Sequence, residues 1–130
     1  MTKSTVRKKF TLEYIVRSSP AILFGFVTNP SNLAQWFSDY CDANDNYIVF
    51  GWGGSREQAQ IVEFIEDEFV KYHWLDSKAG EYFSFRIYKS DIANDTIMEV
   101  SDFADEKEVK DLTMLWDSQI EELKHQLGAG

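Results

Sequence analysis

Residues 9–17 (KFTLEYIVR) set Phe10, Leu12, Tyr14 and Val16 against Thr11, Glu13 and Arg17, the period-two pattern of a strand with one buried face. Ser18-Ser19-Pro20 follows. A hydroxyl for the cap and a proline for the first helical position open a short apolar helix over Ala21–Thr28. Asn29-Pro30-Ser31 repeats the signal and predicts a second helix, Asn32–Ser38, with Leu33, Trp36 and Phe37 on one side. Between Tyr40 and Phe103 the pattern is that of consecutive strands. They fall at Tyr47–Trp52, Gln58–Ile65, Phe69–Leu75, Tyr82–Tyr88 and Thr96–Ser101, with a weaker one at Tyr40–Ala43. Asn44-Asp45-Asn46, Gly53-Gly54-Ser55, Glu66-Asp67-Glu68, Ser77–Gly80 and Asp91–Asp95 separate them with turn chemistry. Connections this short force antiparallel pairing of neighbours.

The last segment, Asp105–Leu127, carries Val109, Leu112, Trp116, Ile120, Leu123 and Leu127 at spacings of three and four, with Met114 and Leu115 widening the stripe. Asp105, Glu106 and Glu108 crowd its start and Lys124 and His125 its end, as the helix dipole favours. Gly128 stops it. A sheet with one apolar face needs a cover, and the long helix supplies it. The expected fold is α+β, a curled antiparallel sheet wrapped around a long C-terminal helix, with two short helices after the first strand.

Length changes this picture little. At 130 residues the chain fits one domain, with residues 1–8 as a basic tail and 128–130 as a C-terminal tail. Charge changes it more. The net charge of −9 repels phosphate backbones and anionic bilayers, which argues against nucleic-acid or membrane-surface partners. Lys3, Arg7, Lys8 and Lys9 cluster at the start, whereas residues 91–122 hold eleven acids against Lys107 and Lys110. Both read as solvated segments. Cys41 is the single cysteine, so no internal disulfide forms. No apolar run approaches a membrane span and no signal-peptide core follows the basic start, which makes the cytoplasm the expected location.

Three motifs, taken with the element order, carry a resemblance. They are Ser19-Pro20-Ala21-Ile22-Leu23-Phe24, then Pro30-Ser31-Asn32-Leu33-Ala34-Gln35-Trp36-Phe37, then Ile61–Ile65 followed by Val70-Lys71-Tyr72-His73-Trp74. In that order and spacing the chain resembles the helix-grip fold of the START-like (SRPBCC) superfamily, and within it the homologues of the activator of the heat-shock-protein ATPase. The likeness runs from about residue 10 to 127. It departs from that branch at Gln58-Ala59-Gln60 and in the short acidic segment Asp102–Glu108. The resemblance implies a cavity between sheet and long helix that in many members holds an apolar small molecule.

Aromatic residues make up 15% of the chain, ten of them Phe, enough to line such a cavity or to fill it. Val70, Tyr72 and Trp74 share one face of their strand, and Phe83, Phe85 and Ile87 one face of theirs, with Lys71, His73, Ser84 and Arg86 opposite. The cavity candidates are Trp36, Phe37, Tyr72, Trp74, Phe83, Phe85, Met98, Leu112 and Trp116. Sequence leaves a cavity and a filled core both open.

Other chemistry is thin. Gly51-Trp52-Gly53-Gly54-Ser55 lacks the Gly-Lys-Ser/Thr ending and the following helix of a phosphate loop, so it reads as a hairpin turn. His73, His125 and Cys41 stand at no ligand spacing. Glu63 and Glu99 lie mid-strand, expected on the outer face. No catalytic residue, metal or cofactor is assigned.

The resulting expectation is a non-enzymatic binding domain for a small apolar ligand, lipid-like or aromatic. It requires a pocket of about 300 Å³ or more. The alternative, implied by the resemblance, is an interaction module acting on a chaperone or another protein. A cyclase- or hydrolase-like enzyme is the third reading. Self-association is expected to be absent or weak, as a monomer or a weak homodimer.

Overall fold

The computed structural model describes residues 7–44, 47–76 and 80–128. The elements, in order, are β1 (Arg7–Val16), α1 (Pro20–Thr28), α2 (Pro30–Trp36), β2 (Tyr40–Asn44), β3 (Tyr47–Trp52), β4 (Ser55–Ile65), β5 (Phe69–Trp74), β6 (Tyr82–Lys89) and β7 (Thr96–Asp105). A 3-10 turn, Glu106–Glu108, leads into α3 (Val109–Gln126). Of the expected features, Lys3 and the rest of the tail before Arg7, the turn positions 45–46 and 77–79, and residues 129–130 lie outside the described residues.

The seven strands form one antiparallel sheet in the order β1-β7-β6-β5-β4-β3-β2. The α+β helix-grip fold is therefore the observed one, with the curled sheet held against α3. β2 to β7 pair in chain order as a meander, and β1 closes the far side by pairing with β7 along its whole length, Arg7↔Asp105 to Val16↔Thr96. That pairing lengthens two strands beyond the expectation. β7 runs on to Asp105 because Asp102–Asp105 finds partners in Arg7–Phe10. β1 starts at Arg7, so Arg7 and Lys8 are strand rather than tail. The Arg7 guanidinium ties this corner, 2.6 Å from Glu81 Oε1 and 3.3 Å from Asp105 Oδ1.

The short helices are set by their caps. Ser19 Oγ accepts from the Ile22 N–H at 3.2 Å and Asn29 Oδ1 from the Ser31 N–H at 2.9 Å, satisfying amides that the first turn leaves unpaired. Gly53 makes the β3–β4 turn at φ 59° and gives its N–H to Asp39 Oδ2 at 2.8 Å. The glycine-rich segment is thus the hairpin turn expected of it.

The inner face of the sheet and the buried sides of the helices share one core. Tyr72, Phe50, Phe85, Met98, Leu23, Leu33 and Leu123 are fully buried in it, each such side chain contributing about 1.5–3 kcal/mol. On α3 the stripe narrows to Trp116, Ile120 and Leu123. Met114 and Leu115 do not widen it; they are 62% and 52% exposed, because at 100° per residue they turn past the line of contact with the sheet. No helix among the described residues is long and apolar enough to cross a membrane.

Candidate functional site

Packing consumes most of the aromatic set. Tyr72 lies under Phe83, rings 4.7 Å apart and nearly parallel, and its hydroxyl donates to Val27 O at 2.6 Å. That bond spends the polar tip on α1. Phe85 is enclosed by Trp36, Tyr72 and Trp116, Met98 is wholly buried, and the Trp36 indole donates to Phe26 O at 2.8 Å. These four candidates form core.

The other five meet at one place. Where the N-terminal half of α3 leaves the open ends of β3, β5 and β6, a cleft of about 240 Å³ remains. Its walls are Phe37, Trp52, Trp74, Phe83 and Trp116, joined by Leu112 and the exposed Leu115. The rings touch in series. Trp52 and Trp74 are 6.2 Å apart, Trp74 and Phe83 4.9 Å, Phe83 and Phe37 5.2 Å, and Phe37 and Trp116 5.7 Å. Such contacts fix each ring in one orientation. Two larger hollows are present, the second of which adjoins this cleft and shares Phe37, Trp52 and Gln119 with it. One of about 280 Å³ on the outer sheet face is lined by Lys9, Lys71 and Arg86 among polar neighbours, and one of about 460 Å³ is a shallow depression beside α2.

Three polar residues complete the cleft: Glu57, Asp102 and Gln119. The indole N–H of Trp116 donates to Asp102 Oδ2 at 2.9 Å, and the Phe103 N–H to Asp102 Oδ1 at 2.7 Å. Burial nevertheless pushes the Asp102 carboxyl above its ordinary value, against those bonds and the pull of Arg7. The carbonyl of Phe37 accepts from both Trp52 Nε1 at 2.9 Å and Gln119 Nε2 at 3.0 Å. Glu57 stands on β4 two residues before the buried Ala59, on the same face and opposite Phe50. It is an exposed member of that row and lines the cleft.

Trp52, Glu57, Asp102, Leu115 and Gln119 were absent from the sequence-derived set. Trp52 was within reach, since it shares a strand face with Phe50. Asp102 was not, because the expected strand stopped at Ser101 and left it in a connecting segment. Glu63 and Glu99 sit on the outer face, Glu63 3.3 Å from Lys71 Nζ and Glu99 3.3 Å from the Tyr88 hydroxyl. His73 is on that face too, its Nδ1 3.1 Å from Glu81 O. Cys41 is half-buried on β2, and burial pushes its thiol up to about 12.

The cleft falls short of the roughly 300 Å³ that a drug-sized ligand requires. An engineered apolar cavity of about 150 Å³ is large enough for benzene, so the space here has the size of a compact ring system.

The same architecture recurs among solved structures. A Bacteroides fragilis protein solved by NMR in solution is 32% identical, with 93% of this chain covering 91% of that one at a TM-score of 0.66. A Mesorhizobium loti protein is 14% identical, with coverage of 93% and 97% and a TM-score of 0.75. The Aha1 dimer of Colwellia psychrerythraea is 14% identical, with coverage of 92% of each chain and a TM-score of 0.69. At 14% these last two speak for the fold alone. No curated protein matches the sequence. The model of the START-like superfamily domain matches residues 4–129. A match over nearly the whole chain, joined to a sheet that grips its C-terminal helix, makes this chain a member of the START-like superfamily.

Proposed function

We propose that the protein is a non-enzymatic binding protein of the cytoplasm that holds one compact, largely apolar organic molecule in the cleft between α3 and the β3–β5–β6 strand ends. The observation that carries this reading is the wall of five mutually fixed aromatic rings around about 240 Å³ of open space. A preformed apolar concavity binds without reorganising, so little of its burial energy is lost to ordering. The small volume favours a one- or two-ring ligand over the lipid-like alternative.

Native mass spectrometry of the gently purified protein, followed by organic extraction, tests it. A stoichiometric small molecule supports the reading, as does saturable binding of a neutral two-ring probe, 3-ethylindole, to the emptied protein. A protein that purifies empty and binds no probe of this size overturns it.

A second reading, docking onto another protein such as a chaperone, is favoured by Phe64. It is 53% exposed although its ring packs edge-on against Phe24 of α1, and Ile22 of that helix is 58% exposed. Retention of the ATPase rate of a chaperone at saturating protein argues against that partner.

A further inference from the structure

We infer that the ligand of this cleft is an organic cation: a compact aromatic or alkyl body bearing an ammonium group, bound with the body against the rings and the charge toward Glu57 and Asp102. The inference rests on the binding function proposed above and specifies its chemistry.

Three features converge on a cation. The first is the sign of the charge. Among the described residues lining the cleft the only ionisable side chains are the carboxylates of Glu57 and Asp102, with no lysine, arginine or histidine. An anionic ligand would meet two like charges and no counter-ion, which costs affinity in a site partly shielded from water. The second is what the polar groups have left to offer. The Trp116 and Trp52 indole N–H groups are already spent on Asp102 and the Phe37 carbonyl, so these two donors are closed to a ligand. Each Asp102 oxygen accepts one protein N–H and keeps further acceptor capacity. Glu57 makes no hydrogen bond or ion pair with a described residue. Trp74 Nε1 and the second Nε2 hydrogen of Gln119 remain as donors in the lining, but the charged groups there, Glu57 and Asp102, offer acceptors, and an ammonium group offers only donors.

The third feature is the rings themselves. Trp faces attract cations more strongly than those of Tyr or Phe, and aromatic cages are the recurrent solution for binding ammonium groups. Three of the five rings here are Trp. A neutral hydrocarbon ligand would account for the rings but would leave Glu57 and the remaining acceptor capacity of Asp102 unanswered. The chain's net charge of −9 adds long-range attraction for the same ligand and repels its anionic counterparts.

Isothermal titration of the intact protein with three probes of one shape decides the matter: tryptamine (ammonium), 3-ethylindole (neutral) and indole-3-acetate (carboxylate). The expected order is tryptamine first, by about tenfold over 3-ethylindole, with indole-3-acetate weakest. Raising the salt concentration should shrink the gap. Glu57→Gln, at an exposed strand position, should lower the tryptamine-to-ethylindole affinity ratio several-fold, and Asp102→Asn should do the same. Equal or tighter binding of 3-ethylindole overturns the cation assignment while leaving the binding function standing. Failure of all three probes overturns both.

Discussion

Trp116 and Asp102 are joined by a hydrogen bond of 2.9 Å from the indole nitrogen to Oδ2. It fastens the long helix to β7 at the wall of the cleft, and both partners line the space where a ligand would sit. One bond thus serves fold and site together. Removing the carboxylate (Asp102→Ala) leaves the Trp116 and Phe103 N–H groups unanswered, and removing the donor (Trp116→Phe) leaves a largely buried carboxylate with one partner fewer. A double-mutant cycle read by urea denaturation should give a coupling of about 1.5–3 kcal/mol, the usual worth of a hydrogen bond to a charged group. Additive losses would show that the bond does not fasten the helix.

The same carboxylate sets a pH dependence. Burial raises Asp102, so the folded chain keeps this proton to a higher pH than the unfolded chain does. Its contribution to stability is greatest below the ordinary carboxylate value and is lost as pH rises through the folded one. Glu81 runs the opposite way. The hydrogen bond from Arg7 holds it below its ordinary value, so its contribution is present above that value and lost as pH falls through the folded one. Relative to the unsubstituted protein, Asp102→Asn should therefore fare better at about pH 7.5 than at about pH 4.5. Glu81→Gln should show its largest deficit at the higher pH and the smallest in strong acid. Urea midpoints across the range read both, and parallel curves would contradict the assignment.

Tyr72 separates core from site. Its hydroxyl is buried on Val27 O, so Tyr72→Phe orphans a carbonyl and should cost about 1–3 kcal/mol. The ring and its stack on Phe83 remain, and Tyr72 does not line the cleft. Thermal denaturation should register the loss while the affinity for 3-ethylindole stays within about twofold, a difference too small to reflect a lost contact. A large drop in affinity would place Tyr72 in the site after all.

Cys41 should be a poor nucleophile. With its thiol pushed up to about 12 by burial, aided by the charge of Asp42, the thiolate that does the chemistry is scarce at neutral pH. Aromatic disulfide reagents at about pH 8 should label the native protein far more slowly than the urea-unfolded chain. Equal rates would contradict this.

The fold was legible because its signals are local. Alternation in Phe10–Val16, the Ser19-Pro20 and Asn29-Pro30 helix starts, and the three-and-four spacing of Trp116, Ile120 and Leu123 each declare an element within a few residues. The closure of β1 on β7 is not local. It extended β7 through Asp102, and with that extension came the one carboxylate that meets Trp116. The cavity was half legible for a similar reason. Sequence parity places Tyr72, Trp74, Phe83 and Phe85 on one face, but their depth is set by how far α3 reaches along the sheet. Phe85 and Tyr72 fall beneath the helices and are filled over, whereas Trp74 and Phe83 come to the open strand ends. Glu57 shows the same limit: an inward-facing acid in a strand gains meaning only when the rings of Trp52 and Trp74 are seen beside it.

The proposal that this cleft binds a ligand is tested most directly through the four tryptophan indole N–H resonances in a 1H–15N correlation spectrum. Trp52, Trp74 and Trp116 line the cleft, while Trp36 is buried with its N–H on Phe26 O. Titration with 3-ethylindole should shift the resonances of those three in a saturable way and move Trp36 least. A spectrum in which none of the three responds, or in which Trp36 moves as far as the rest, would contradict a ligand held between α3 and the sheet.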